Sequence, residues 1–279
     1  MIPILMYHQV ADVPGKLDPL GLAMPPYQFD QQMAALARKG YKCLTLHEAV
    51  RIICEHRREP PQSFVLTFDD GYKNVLTNAC PILEKYGFTA TVFLVASQLG
   101  STSSWWGQDG DYSGLLMTRE EALEVSRRGF ILGSHSLNHL FLNRLDAQAA
   151  FREIQNSKIQ LEDQLDMQVD YFSYPFSETD SRIEKLVESA GYIAACAGDS
   201  GSWGVYHLWR IPCVRSDSML LFTMKANGMY NYRTALRESA PGLLLRRGVR
   251  TIRHKLFPHR SHCRFDPGQT GDEKTRGEV

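Results

Sequence analysis

Hydrophobic and polar positions follow two alternating rhythms along the chain. Short apolar runs fall at residues 2–7, 64–68, 89–96, 130–133, 171–174, 192–197 and 209–214. Their length and their β-branched or aromatic content predict buried strands. Between the runs, apolar residues return every three or four positions, as with Phe29, Met33, Leu36 and Ala37, or Leu46, Val50 and Ile53. This period predicts helices over 27–39, 46–54, 74–86, 118–128, 146–164 and 181–190. Gly40, Gly87, Gly129 and Gly191 supply C-terminal stops, and Thr118-Arg-Glu-Glu121 is a capping box at a helix start. The Gly- and Pro-rich stretch 11–26 and the Ser/Gly-rich stretch 97–114 read as loops.

Strands that alternate with helices of this length predict βαβ units and a parallel sheet. Seven candidate strands in one run, with no linker between them, fold most simply into a closed or nearly closed (β/α) barrel. A chain of 279 residues is long enough for that as a single domain. The barrel is expected over 1–240.

Composition adds one asymmetry. Formal net charge is zero, which gives no indication of a nucleic-acid partner. Yet the stretch 241–264 holds seven Lys or Arg and no acid, while residues 1–240 hold 22 bases against 27 acids. Leu243, Leu244, Leu245, Val249, Ile252, Leu256 and Phe257 are interleaved with those bases, so 241–265 reads as a basic amphipathic helix. Such a helix suits an anionic membrane surface or packs on the barrel with its basic face in water. Residues 266–279 read as a disordered tail. Six scattered cysteines without a CxxC pair read as reduced thiols. The start of the chain lacks a basic region followed by a long apolar one, and no run of about 18 apolar residues exists. A cytoplasmic protein, peripheral at the inner face of the membrane if the basic helix binds there, is the expectation.

Candidate chemistry gathers at strand ends. The run Phe64-Val-Leu-Thr-Phe delivers Asp69 and Asp70 straight into Gly71. One Asp there is explained as a helix N-cap; the second is not. His135 and His139 follow the strand at 130–133. Taken alone they read as two unrelated surface histidines, but at a spacing of four two imidazoles can reach one metal ion, and the upstream Asp-Asp-Gly turn supplies a carboxylate for it. Two imidazoles and a carboxylate without thiolate suit Zn2+, with Co2+, Ni2+ or Mn2+ as alternatives.

These motifs resemble the polysaccharide deacetylase family, carbohydrate esterase family 4, through Thr67-Phe-Asp-Asp-Gly71 and His135-Ser-Leu-Asn-His139. The resemblance implies a distorted (β/α)7 barrel in which Asp70, His135 and His139 hold a divalent metal and Asp69 is the general base. It spans about residues 2–214. Two departures stand out. The family's third motif begins with Arg, and Ser173 stands in its place in Ser173-Tyr-Pro-Phe176. The late Leu-x-His motif that supplies the general acid is absent. The chain is similar in both respects to the permuted poly-N-acetylglucosamine deacetylase subset, whose first strand ends in Tyr-His as Leu5-Met-Tyr-His8 does. That similarity implies His8 as the acid, against the alternative of a core histidine bonded to backbone. Arg210, on the last candidate strand, is positioned to pair with Asp69 in place of the missing Arg. Trp105 and Trp106 are candidates for stacking on sugar faces, or for core packing. Tyr174 and Phe176 are candidates for lining an acyl pocket, with a backbone N–H near Tyr174 facing the oxyanion.

The expected function is metal-dependent removal of an acetyl group from an N-acetylated sugar, free or linked to a nucleotide or lipid. The alternatives are a carbohydrate-binding protein that has lost chemistry, and an amidase for a non-sugar amide. Retention of Asp69 argues against the first, since metal binding needs only the other three residues.

Overall fold

In the computed structural model, residues 1–103, 105, 114–198 and 203–229 are described. The expectations for 241–265, 266–279 and Trp106 lie outside these residues. The chain divides into two compact units, Met1–Thr234 and Ala235–Val279, and the described residues all belong to the first.

In chain order the strands are β1 (Ile4–Tyr7), β2 (Gln9–Val10), β3 (Ala23–Met24), β4 (Lys42–Leu44), β5 (Ser63–Phe68), β6 (Thr91–Leu94), β7 (Ile131–Ser134), β8 (Tyr171–Ser173), β9 (Ala194–Ala197), β10 (Leu208–Trp209) and β11 (Ile211–Pro212). The helices are α1 (Pro26–Arg38), α2 (Leu46–Cys54), α3 (Cys80–Lys85), α4 (Arg119–Arg127), α5 (Ala147–Leu165), α6 (Ser181–Ser189) and α7 (Met219–Ala226).

The main sheet runs β10-β9-β8-β7-β6-β5-β1-β11, every pair parallel. Its two ends belong to one stretch of chain. Trp209 pairs with Ala197, Ile211 pairs with Leu5, and Arg210 lies between. The sheet therefore closes on itself through that stretch, giving a distorted (β/α)7 barrel. The strand read at 209–214 is thus two short pieces that change partner at Arg210. A strand that the sequence pattern does not reveal, β4, pairs with the start of β5 (Lys42 with Ser63, Leu44 with Val65). It fills the edge where β6 joins β5 only from Thr67 onward.

Side chains alternate about this wall, as the pleat requires. Leu5, Tyr7, Phe64, Leu66, Phe68, Val92, Leu94, Leu132, Phe172 and Ala195 face outward and pack against the helices. Ile2, Ile4, Val65, Phe93, Tyr171, Ala194, Cys196 and Leu208 fill the inside near the strand starts. Leu46, Ala49 and Val50 of α2 pack on this inner cluster and plug that end, with Thr45 and Glu48 forming a capping box. The inner faces of the strand ends are thereby left for polar groups.

Inner packing is tight enough to require glycine at 133. A Cβ there would lie 2.5 and 2.6 Å from Phe93 ring carbons and 3.0 Å from the Tyr171 carbonyl oxygen. Gly133→Ala is expected to lower unfolding free energy by about 1–3 kcal/mol, the usual cost of overpacking a core. A denaturant titration measures it, and an unchanged midpoint would contradict this packing.

Candidate metal centre and its neighbouring carboxylate

The two adjacent aspartates separate because the backbone turns between them. Asp69 is still in the ladder, its N–H donating to the Tyr7 carbonyl at 3.0 Å. Asp70 and Gly71 have positive φ, 72° and 76°. A Cβ on Gly71 would sit 2.8 Å from Leu94 Cδ2, so the turn admits only glycine there. The two carboxylates consequently meet different partners.

Asp70 is buried, with Oδ1 3.4 Å from His135 Nε2 and 3.2 Å from His139 Nε2. One ligand atom from each of the three residues lies within 4.8 Å of the others. His135 Nδ1–H donates to the Ser173 carbonyl at 2.8 Å, which leaves the Nε2 lone pair facing Asp70. His139 has φ 57° and its N–H donates to Ser136 Oγ at 3.0 Å. Its ring is stacked on Trp105 at 4.4 Å and meets Phe176 edge-on at 4.6 Å. Among the described residues neither Asp70 oxygen has a hydrogen-bond partner. A buried carboxylate with no donor, facing two imidazole nitrogens, is costly unless a cation sits among them. The three residues fit a divalent metal with open coordination positions.

Burial pushes the Asp70 carboxyl up, but the facing imidazoles of His135 and His139 outweigh it and hold the group far below the carboxylate range. His139 is lowered, burial being the largest cause. Burial also pushes His135 down, but the neighbouring charges of Asp69 and Asp70 raise it overall.

Asp69 is clamped from the closing strand. Arg210, fully buried, donates Nη1–H to Oδ1 at 2.6 Å and Nη2–H to Oδ2 at 2.7 Å, the bidentate geometry of a strong charge-assisted pair. Arg210 also donates to Ser173 Oγ at 2.8 Å, and Ser173 Oγ–H lies 3.3 Å from both Asp69 oxygens. Burial raises the Asp69 carboxyl, yet Arg210, His135 and His8 together hold it below its ordinary value. His8 is half-buried on the inward face of β1's continuation. Burial lowers its pKa most; Asp70 and Asp69 pull it up, and Arg210 and His135 push it down.

Among the sequence candidates, Asp70, His135 and His139 converge, Arg210 pairs with Asp69, and His8 is within electrostatic reach of both aspartates. Phe176 stands at the site, with φ 58° and its ring stacked on Phe141 at 3.6 Å. Trp105 lies against His139. Tyr174 is a correction. Ser173 points inward, so Tyr174 must point outward. It is fully buried beside Phe172, its hydroxyl donates to the Tyr206 carbonyl at 2.8 Å, and its own N–H is taken by the Cys196 carbonyl. It neither lines the site nor offers an oxyanion donor. Sequence reasoning passed over the second role of Ser173, whose carbonyl sets the His135 tautomer, and it passed over Phe141; strand parity was a usable signal for the first, and none marked the second.

Known proteins similar to this chain point to one family. A family model described as polysaccharide deacetylase matches residues 56–195, a span that holds Asp69, Asp70, His135 and His139 but neither His8 nor Arg210. The Bacillus subtilis chain YxkH, named for polysaccharide deacetylation, is 29% identical over 214 residues, 75% of this chain and 70% of that one. A poly-β-1,6-N-acetyl-D-glucosamine N-deacetylase of Staphylococcus epidermidis is 36% identical over 76 residues, 27% of this chain and 26% of that one. The Streptococcus pyogenes deacetylase PplD, solved in complex with acetate, has a similar fold: TM-score 0.69 at 24% identity, covering 81% of this chain and 97% of that one.

Proposed function

The chain belongs to the polysaccharide deacetylase family, and from that premise we propose that its barrel mouth is a metal-dependent hydrolytic site that removes acetyl from an N-acetylated sugar or glycan. The observation that carries the reading is the donor-free Asp70 carboxylate between two imidazoles, one residue from a carboxylate clamped by arginine. A divalent cation, Zn2+ first among the candidates, would acidify water and polarise the acyl carbonyl when bound by Asp70, His135 and His139. Asp69, held anionic and oriented by Arg210, takes the proton of the attacking water. His8 gives a proton to the departing amine. Ser173 and Arg210 keep the Asp69 carboxylate in one orientation through the reaction. Trp105 and Phe176, flanking His139, offer apolar faces to the acetyl group or the sugar ring.

An N-acetyl rather than an O-acetyl substrate is favoured by the local match to an enzyme named for N-deacetylation. The acid-free run of Lys and Arg in 241–264 supports a lipid-linked glycan met at an anionic membrane surface. The test is acetate release from N- and O-acetylated glucosamine oligomers. Release is expected to vanish on chelation, to return with Zn2+ or Co2+, and to be faster from the amides. Metal binding without release from any of them would count against the reading.

A further inference from the structure

The turn between the two candidate ligand histidines is held from outside the site by a carboxylate that the chemistry above does not use. Glu153 lies in the middle of α5 and is 7% exposed. One carboxylate oxygen accepts the Asn138 backbone N–H at 2.9 Å and the other accepts Asn138 Nδ2–H at 2.6 Å. The Glu153 backbone carbonyl accepts the Leu137 N–H as well. No cation is paired with this carboxylate among the described residues. A buried charge satisfied by one neutral residue is an expensive arrangement, so its effect on that residue is the feature to explain.

Asn138 sits inside a turn whose backbone is unusual. Ser136 and His139 both have positive φ, 65° and 57°. Non-glycine residues stay in that region only where their surroundings over-determine it. On one side the Ser136 and Leu137 carbonyls accept the N–H groups of Ala96 and Ser97, and Ser97 Oγ–H donates to Asn138 Oδ1 at 2.9 Å. On the other side the constraint at Leu137 and Asn138 is Glu153. His139 follows directly, and its Nε2 lies 3.2 Å from Asp70 Oδ1.

We propose that Glu153 is a positioning residue of the metal centre: through Asn138 it fixes the turn that delivers His139 to Asp70. The inference rests on reading Asp70, His135 and His139 as the metal ligands. It requires a carboxylate and not merely a polar side chain, because Asn138 presents two donors that need two acceptors. The Glu153→Gln amide offers one acceptor and turns its own donor against a donor of Asn138. Changing Asn138→Asp as well repairs the pattern. In the double variant the amide oxygen at 153 accepts the backbone N–H and the amide NH2 donates to the new carboxylate at 138. The other oxygen of that carboxylate still accepts from Ser97. The net charge of the pair is unchanged.

The experiment titrates Zn2+ into metal-free full-length chain against a chromogenic chelator, alongside the thermal midpoint of the metal-free protein. Glu153→Gln is expected to bind Zn2+ about 10–100-fold more weakly than wild type, as loss of a ligand-orienting partner does. The double variant Asn138→Asp/Glu153→Gln is expected to return close to wild type. Equal affinity in wild type and Glu153→Gln, or a double variant as weak as the single, overturns the inference while leaving the metal site standing. A wild type that binds no Zn2+ overturns the metal reading beneath it. Where Glu153→Gln does not fold, Asn138→Ala, a change at an exposed position, removes one of the two bonds and is expected to weaken Zn2+ binding severalfold; undiminished affinity there also overturns it.

Discussion

Replacing Arg210 with Met is expected to destabilise the protein by about 3–5 kcal/mol, because it leaves the Asp69 carboxylate buried without its cation. Asp69 is 2% exposed and both its oxygens are engaged by the guanidinium at 2.6 and 2.7 Å. Arg210 is also the residue at which the closing strand changes partner, donating to the Ala197 carbonyl and to Thr67 Oγ1 at 3.3 Å each. One side chain thus holds the barrel seam and the candidate base together. Removing both charges, as Arg210→Met/Asp69→Leu, is expected to recover most of the loss, since apolar pairs often replace buried ion pairs without penalty. Equilibrium denaturation of the two single variants and the double forms a cycle that isolates the pair. If Arg210→Met costs less than about 1 kcal/mol, the figure for exposed pairs, the ion pair is not a closed, buried one. Arg210→Lys keeps a charge but not the two-pronged contact, and is expected to fold while releasing acetate more slowly than wild type.

The parts of this arrangement that sequence revealed are those carried by local pattern. The 46–54 helix was legible because Leu46, Val50 and Ile53 share one stripe; the capping box of Thr45 and Glu48 that starts it was not read from the sequence. The three candidate ligands were legible as a group because a strand that ends Asp-Asp-Gly leaves one carboxylate unexplained by capping, and His135 and His139 follow a later strand four residues apart. The single helix read at 74–86 is instead a π-helical turn, Val75–Ala79, leading into α3. Pro81 accounts for the break, since it has no N–H to give and its ring crowds the preceding turn. Strand β4 was missed because three partly exposed residues carry no period, and α7 because Met219-Leu-Leu-Phe222 shows no polar face. Tyr174 was misplaced through neglect of parity: the inward Ser173 already fixed its neighbour as outward. The clamp of Glu153 on Asn138 joins residues fifteen apart by a turn whose left-handed members have no sequence signature.

Asp69→Asn is expected to lower acetate release by about 10²–10⁴-fold, the contribution of a positioned general base, with Zn2+ stoichiometry unchanged because Asp70, His135 and His139 are untouched. The amide keeps the shape of the carboxylate but cannot take a proton from water. It also presents its NH2 to Arg210, so modest destabilisation accompanies the loss. His8→Ala separates the two proton transfers. A departing amine must be protonated, whereas the nitrophenolate of p-nitrophenyl acetate leaves without a proton. His8→Ala should therefore slow release from an N-acetylated sugar within the same range and leave the ester nearly unaffected, while Asp69→Asn slows both. Rates on the two substrates for the two variants settle the assignment. Equal loss on amide and ester in His8→Ala would remove His8 as the acid and return it to a packing role. An Asp69→Asn protein that still hydrolyses the ester at wild-type rate would remove Asp69 as the base, because attack by water is common to both substrates.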